Sequence, residues 1–133
     1  IGILSGCASV NTQYYRLPDS GVSYQNNNAY PTIVKVRLPE YMNTSAMVYQ
    51  LDDVTLNFSQ QNLWAQPFKE GIPQSLINKL NQQRLSSKFV LPAQVTDASL
   101  SKRNLVVTIN QFYGRFDGHV IVSGFFHSPY GTV

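Results

Sequence analysis

The chain has 133 residues, a formal net charge of +3 and a pI of about 9.1, with 43% hydrophobic, 12% aromatic and only 13% charged residues. That composition suits one globular domain with a weakly charged polar surface and excludes a disordered segment. The ten Lys and Arg are scattered, with Lys102-Arg103 the only adjacent pair, so no basic stripe for nucleic acid emerges; no apolar run approaches the ~20 residues of a membrane-crossing helix, and a single cysteine allows no internal disulfide.

That cysteine, Cys7, follows Leu4-Ser5-Gly6. An apolar stretch closing on small residues is the cleavage region of an export signal, and with Cys directly after it the segment resembles a bacterial lipobox. The resemblance implies a diacylglycerol thioether on Cys7, a cut before it and an acylated new amino terminus. A thiolate is the nucleophile such a transfer needs, and Ser5 and Gly6 leave the scissile bond uncrowded. The competing reading is a small buried core cysteine. With no initiator Met and no basic segment, residues 1–6 read as the remnant of a signal peptide and 7–12 as a lipidated tether. Residues 13–133 form the folded domain, expected to be incomplete at its C-terminus. The five tether residues Ala8 to Thr12 span at most ~18 Å, which holds the domain close to its membrane.

Gln13 to Leu17 reads as a first strand ended by Pro18, and 19–28 (DSGVSYQNNN) as a loop. Thr32 to Leu38 is β-branched and ends at Pro39, which cannot donate to a ladder. After a turn centred on Asn43-Thr44, strands at 46–51 and 54–58 form a hairpin around Asp52-Asp53, with Val54, Leu56 and Phe58 expected on one face. Phe68, Ile72, Leu76 and Leu80, widened by Ile77, mark the main helix. Pro67 suits its first position, whereas Gly71 and Pro73 predict one turn near 67–71 followed by a helix at 73–84. A short strand at 89–91 precedes the strands 105–113 and 119–126, joined by an Asp117-Gly118 two-residue hairpin and expected at the sheet centre. Tyr130 to Val133 offers no closing element. The predicted fold is α+β: a single domain whose mixed or largely antiparallel sheet, of about five to six strands, carries one main helix on one face.

Catalytic patterns are missing: no nucleophile elbow, no zinc-binding His pair and no phosphate-binding glycine loop occur. Asp117 and His119 flank Gly118, but hairpin chemistry already accounts for them. Neither His119 nor His127 has a spaced second metal ligand, and the adjacent Asp52-Asp53 point to opposite faces if extended. The chain therefore reads as a non-enzyme without a metal. Tyr14 and Tyr15 must face opposite sides of their strand. Trp64 either caps the core, the favoured reading, or anchors a partner.

The lipobox Cys7, Tyr14-Tyr15-x-Leu17, the strand Val34-x-Val36-x-Leu38-Pro39 with Tyr41-Met42, the segment Leu63-Trp64-Ala65-Gln66-Pro67-Phe68 and the turn Phe116-Asp117-Gly118 occur in the order and spacing of one family. Across residues 4–126 the chain resembles the ABC-type transport auxiliary lipoproteins. The resemblance implies an outer-membrane lipoprotein facing the periplasm. It would be an adaptor of an intermembrane lipid transport system that docks on a protein with mammalian-cell-entry (MCE) domains. It further implies no cofactor beyond the covalent lipid on Cys7 and, as interface candidates, Tyr14, Tyr15, Pro39, Tyr41, Trp64 and Pro67. Self-association is open. The alternative reading is a lipoprotein that binds or activates a cell-wall synthesis partner.

Overall fold

The computed structural model describes residues 2, 11–18, 31–83, 88–95, 103–128 and 131–132. The lipidation position Cys7 and the loop expected at 19–28 lie outside them. The described chain forms strands β1 (Gln13–Tyr15), β2 (Pro31–Arg37), β3 (Ala46–Gln50), β4 (Leu56–Trp64), helix α1 (Phe68–Gln82), then β5 (Lys88–Val90), β6 (Arg103–Gly114), β7 (Val120–Ser128) and β8 (Gly131–Thr132). This is the expected α+β domain with one main helix, and its sheet is mixed.

The twelve-residue β6 is the axis of that sheet. Along one edge it pairs antiparallel with β7. Along the other it meets two strands end to end, β2 and then β3, both parallel to it. Outside β2 lies β5, outside β3 lies β4, and β1 closes that side by running parallel to the end of β4. Only β6 of the two strands expected at the centre is central, because among the described residues β7 has just the two-residue β8 beyond it. Gly131–Thr132, in a stretch where the sequence offered no closing element, joins the sheet as that strand.

Three further expectations are corrected. Residues 54 and 55 belong to the turn: Asp52 Oδ1 accepts the Val54 and Thr55 N–H groups at 3.0 and 2.9 Å, which leaves Val54 92% exposed. The strand expected to end at Phe58 runs on through 59–64, so that β4 ends at Trp64. The helix is continuous despite Pro73. Pro67 caps it from outside, its carbonyl accepting Glu70 N–H at 3.0 Å and Gly71 N–H at 2.9 Å. Pro73 costs one bond to the Lys69 carbonyl, and the apolar stripe holds the helix together across the gap.

The core lies between α1 and the β2–β5–β6 part of the sheet: Val34, Ile77 and Phe89 are buried, with Val36, Leu76, Leu80, Leu91 and Leu105 packed around them. The stripe read from sequence is there, but its deepest member is Ile77 at 2% exposure. Asn81, one turn on, is as buried at 3%. Its amide donates to the Phe89 carbonyl and accepts the Phe89 N–H, both at 3.0 Å, so a side chain bonds the outermost strand to the helix.

Candidate functional site

The predicted interface residues separate into two groups. Tyr14, Tyr15, Trp64 and Pro67 meet at one corner. The register places Tyr14 beside Leu63 and Tyr15 beside Trp64, and the Ala65 N–H reaches the Tyr15 carbonyl at 2.6 Å. As expected for neighbours on a strand, the two tyrosines face opposite sides. Tyr14 is 68% exposed and Tyr15 40%, the Tyr15 hydroxyl donating to Gln13 Oε1 at 2.7 Å. Pro39 and Tyr41 lie instead beside the middle of β6. The Pro39 carbonyl accepts the Met42 N–H at 3.0 Å, forming a 3-10 turn at Glu40–Met42 whose Met42 is buried.

Trp64 is partly buried, and it begins an aromatic relay into the domain. Its ring lies 4.4 Å from Phe68 at 41°, and Phe68 meets Phe112 edge-on at 5.0 Å. One side of Trp64 caps this relay, and the residue also lines a recess of about 400 Å³. Met47, Tyr49, Phe68, Phe112 and Val120 form much of its apolar wall beside the polar Ser59 and Asn62, and none of the described residues that line it is charged. On the same face of the sheet β7 carries Val120 at 67% exposure and Val122 at 61%, because α1 packs over β2 and β5 and leaves this part of the sheet open. Apolar residues exposed side by side on one sheet face mark an interaction surface more often than scattered ones do. Sequence reasoning missed Met47, Tyr49, Phe112 and Val120. Alternation could have paired Met47 with Tyr49, but nothing local shows that Phe112 faces the helix.

The hairpin tips of β3–β4 and β6–β7 form a charged end. Arg115 lies 3.2 Å from Asp117 and 4.0 Å from Asp53, and its guanidinium sits over the Phe116 ring. Asp117 Oδ1 accepts the His119 N–H at 3.2 Å and lies 3.1 Å from His119 Nδ1. Desolvation works against the Asp117 charge, yet these contacts together with Arg115 hold its carboxyl below the usual range. Gly118, at φ +87°, follows a turn closed by Gly118 N–H to the Arg115 carbonyl at 3.0 Å, and Arg115 N–H reaches the His119 carbonyl at 2.7 Å. The loop therefore has three residues, with glycine in the left-handed position, instead of the two expected. The Asp117–His119 contact serves this solvated turn.

Among the described residues no three His, Cys, Asp or Glu side chains gather where a metal could bind, and no helix is long and apolar enough to cross a membrane. What the geometry offers is a surface: an apolar recess walled by aromatics, continuing onto an open strand.

The chain is 34% identical over 127 residues to the intermembrane transport lipoprotein PqiC of Escherichia coli K12, and equally to that of Shigella flexneri; the match takes in 91% of this chain and 66% of each relative. It thus spans about two thirds of their length. A crystal structure of an uncharacterized protein superposes with a TM-score of 0.72 at 26% identity, over 92% of this chain and 74% of that one. A Xanthomonas campestris protein shares the fold alone, at a TM-score of 0.57 and 11% identity, over 88% of this chain and 68% of its own. Residues 15–128 match the model of the ABC-type transport auxiliary lipoprotein component, and the chain belongs to that family.

Proposed function

We propose that this chain is the lipid-anchored periplasmic component of an intermembrane lipid transport system, held at the outer membrane through Cys7 and docking on an MCE-domain protein. The observation that carries this reading is the 34% identity, across 91% of the chain, to proteins named intermembrane transport lipoproteins. An open apolar surface and a short tether suit an adaptor.

On this reading the work is mechanical. One acyl chain binds a bilayer only reversibly, and two or more make the anchor stable, at ~0.8 kcal/mol per buried CH₂. Five tether residues keep β1, at the edge of the sheet, within ~18 Å of the anchor. Docking then uses the recess and the neighbouring face of β7, where aromatic and aliphatic side chains can be buried against a partner. No cofactor takes part.

Photo-crosslinkers placed at Tyr14 and at Val122 in intact cells test the reading. An MCE-domain protein is expected from Val122, on the docking face, and lipid or membrane components from Tyr14. Recovery of no MCE-domain protein from either position refutes the docking claim. A Cys7→Ser variant is expected in the soluble periplasmic fraction, and its retention in the membrane refutes the anchor.

A further inference from the structure

We infer that Tyr41 is a register lock: its hydroxyl holds a one-residue bulge in β6 that turns Phe112 onto the helix side of the sheet. This does not rest on the transport reading.

The need for a lock follows from the topology. On its β2/β3 edge, β6 pairs with β2 from Arg103 to Thr108 and meets β3 again only at Gly114. Between β2 and β3 the chain makes the turn Glu40–Met42, so among the described residues no strand lies beside 109–113 on that edge. Unpaired main-chain groups at that spot would carry a cost. Tyr41 fills the gap: its hydroxyl donates to the Asn110 carbonyl at 3.0 Å and accepts the Phe112 N–H at 3.4 Å. One phenol thus bonds both sides of the same short segment, much as a neighbouring strand would.

That segment is where the register breaks. Against β7, Ile109 pairs with Gly124 and Gln111 with Ser123, which leaves Asn110 as the extra residue of a bulge. A single inserted residue reverses which face the following side chains take. Before the bulge, Leu105 and Val107 lie beside the core residues Val34 and Val36 on the helix side. With strict alternation Gln111 and Tyr113 would follow them. Instead Phe112 comes round and stacks on Phe68 at 5.0 Å, completing the relay to Trp64 and the wall of the recess. The opposite strand is shaped for the bulge as well. At Gly124 a Cβ would stand 2.2 Å from the Thr108 carbonyl oxygen and 3.1 Å from Ile109 Cα. Backbone atoms cannot yield that distance cheaply, so glycine is required by the close approach.

The test compares Tyr41→Phe, deletion of Asn110, and both changes together in the whole chain. Trp64, the only tryptophan, reports on the relay by its fluorescence. In Tyr41→Phe the Phe112 amide should exchange about tenfold faster, while amides of the β2–β6 ladder change less than about twofold. A uniform loss of protection along β6, or none at Phe112, overturns the lock. In the chain without Asn110, Tyr41→Phe should lose its effect on Tm, which in the intact chain is a fall of about 4 °C; an equal fall in both backgrounds overturns it. If the deletion does not fold, the exchange pattern decides.

Discussion

Replacing Asn81 should destabilise the domain more than its place on a polar-looking stretch of helix suggests. The side chain is 3% exposed, and its amide satisfies both main-chain groups of Phe89, itself buried at 8%. Asn81→Ala strands one N–H and one C=O in the interior, at about 1–3 kcal/mol each. The better helix propensity of alanine returns about 0.7 kcal/mol or less. The net loss is about 2–4 kcal/mol, most of which falls on the tether between α1 and β5. Asn81→Asp separates hydrogen bonding from volume. It keeps the size but sets an oxygen against the Phe89 carbonyl, so the introduced carboxyl is expected to hold its proton in the folded state. A group whose folded pKa is raised contributes stability below its unfolded value and loses it as pH rises. Asn81→Asp should therefore be worse than Asn81→Ala at pH 7 and recover toward the parent near pH 3–4, where the carboxyl can donate. Urea unfolding followed through Trp64 fluorescence gives these differences. A cost below about 0.5 kcal/mol for Asn81→Ala, or no pH dependence in the difference between the two variants, refutes the reasoning.

Pro73→Ala should restore the helical bond to the Lys69 carbonyl and stabilise the chain by about 1–2 kcal/mol, since part of the ~3 kcal/mol interior penalty is offset by proline's stiffer unfolded chain; a lower Tm by circular dichroism would contradict this. Asp52 is held below the usual carboxylate range by the Val54 N–H first, then by Thr55. Its contribution to stability is present above its unfolded pKa and fades as pH falls through the lower folded value, so the Tm gap between parent and Asp52→Asn should close between pH 5 and pH 2, and a gap constant over that range would show that the turn does not depend on the charge.

The elements legible in the sequence are those whose signal is local. The strand Pro31–Arg37, the hairpin from Ala46, the helix stripe through Ile77 and the turn at Gly118 could each be read from a few neighbouring residues. Errors arose where a distant contact overrode the local rule. Pro73 predicts a break, but Phe68 and Ile77 are buried on either side of it and keep the helix whole. Val54 fits the alternation of Leu56 and Phe58, yet Asp52 captures its N–H for the turn. The candidate site was half legible. Tyr14 with Tyr15 and Trp64 with Pro67 each stand in a short sequence motif, but only the pairing of β1 with β4 brings the two motifs together, and Phe112 and Val120 reach Trp64 only through the pairing of β6 with its neighbours.

The sequence by itself determined the class of the molecule: one α+β domain of modest charge, without catalytic motifs, in a family of transport auxiliary lipoproteins. The first three follow from composition, periodicity and motif searching along the chain, and the family from the resemblance carried by the order of its motifs. The tertiary structure alone decided which side chains stand in for missing strands. Asn81 bonds the outer strand, and Tyr41 bonds the bulge in β6 across 69 residues of sequence. It also decided which face is left open, because a one-residue change of register moves every later side chain to the other side of a sheet. In sequence Leu105 to Tyr113 reads as one continuous strand, and the polar Asn110-Gln111 pair that falls at the bulge does not by itself fix the register. Where that strand kinks depends on a phenol brought to it by the fold.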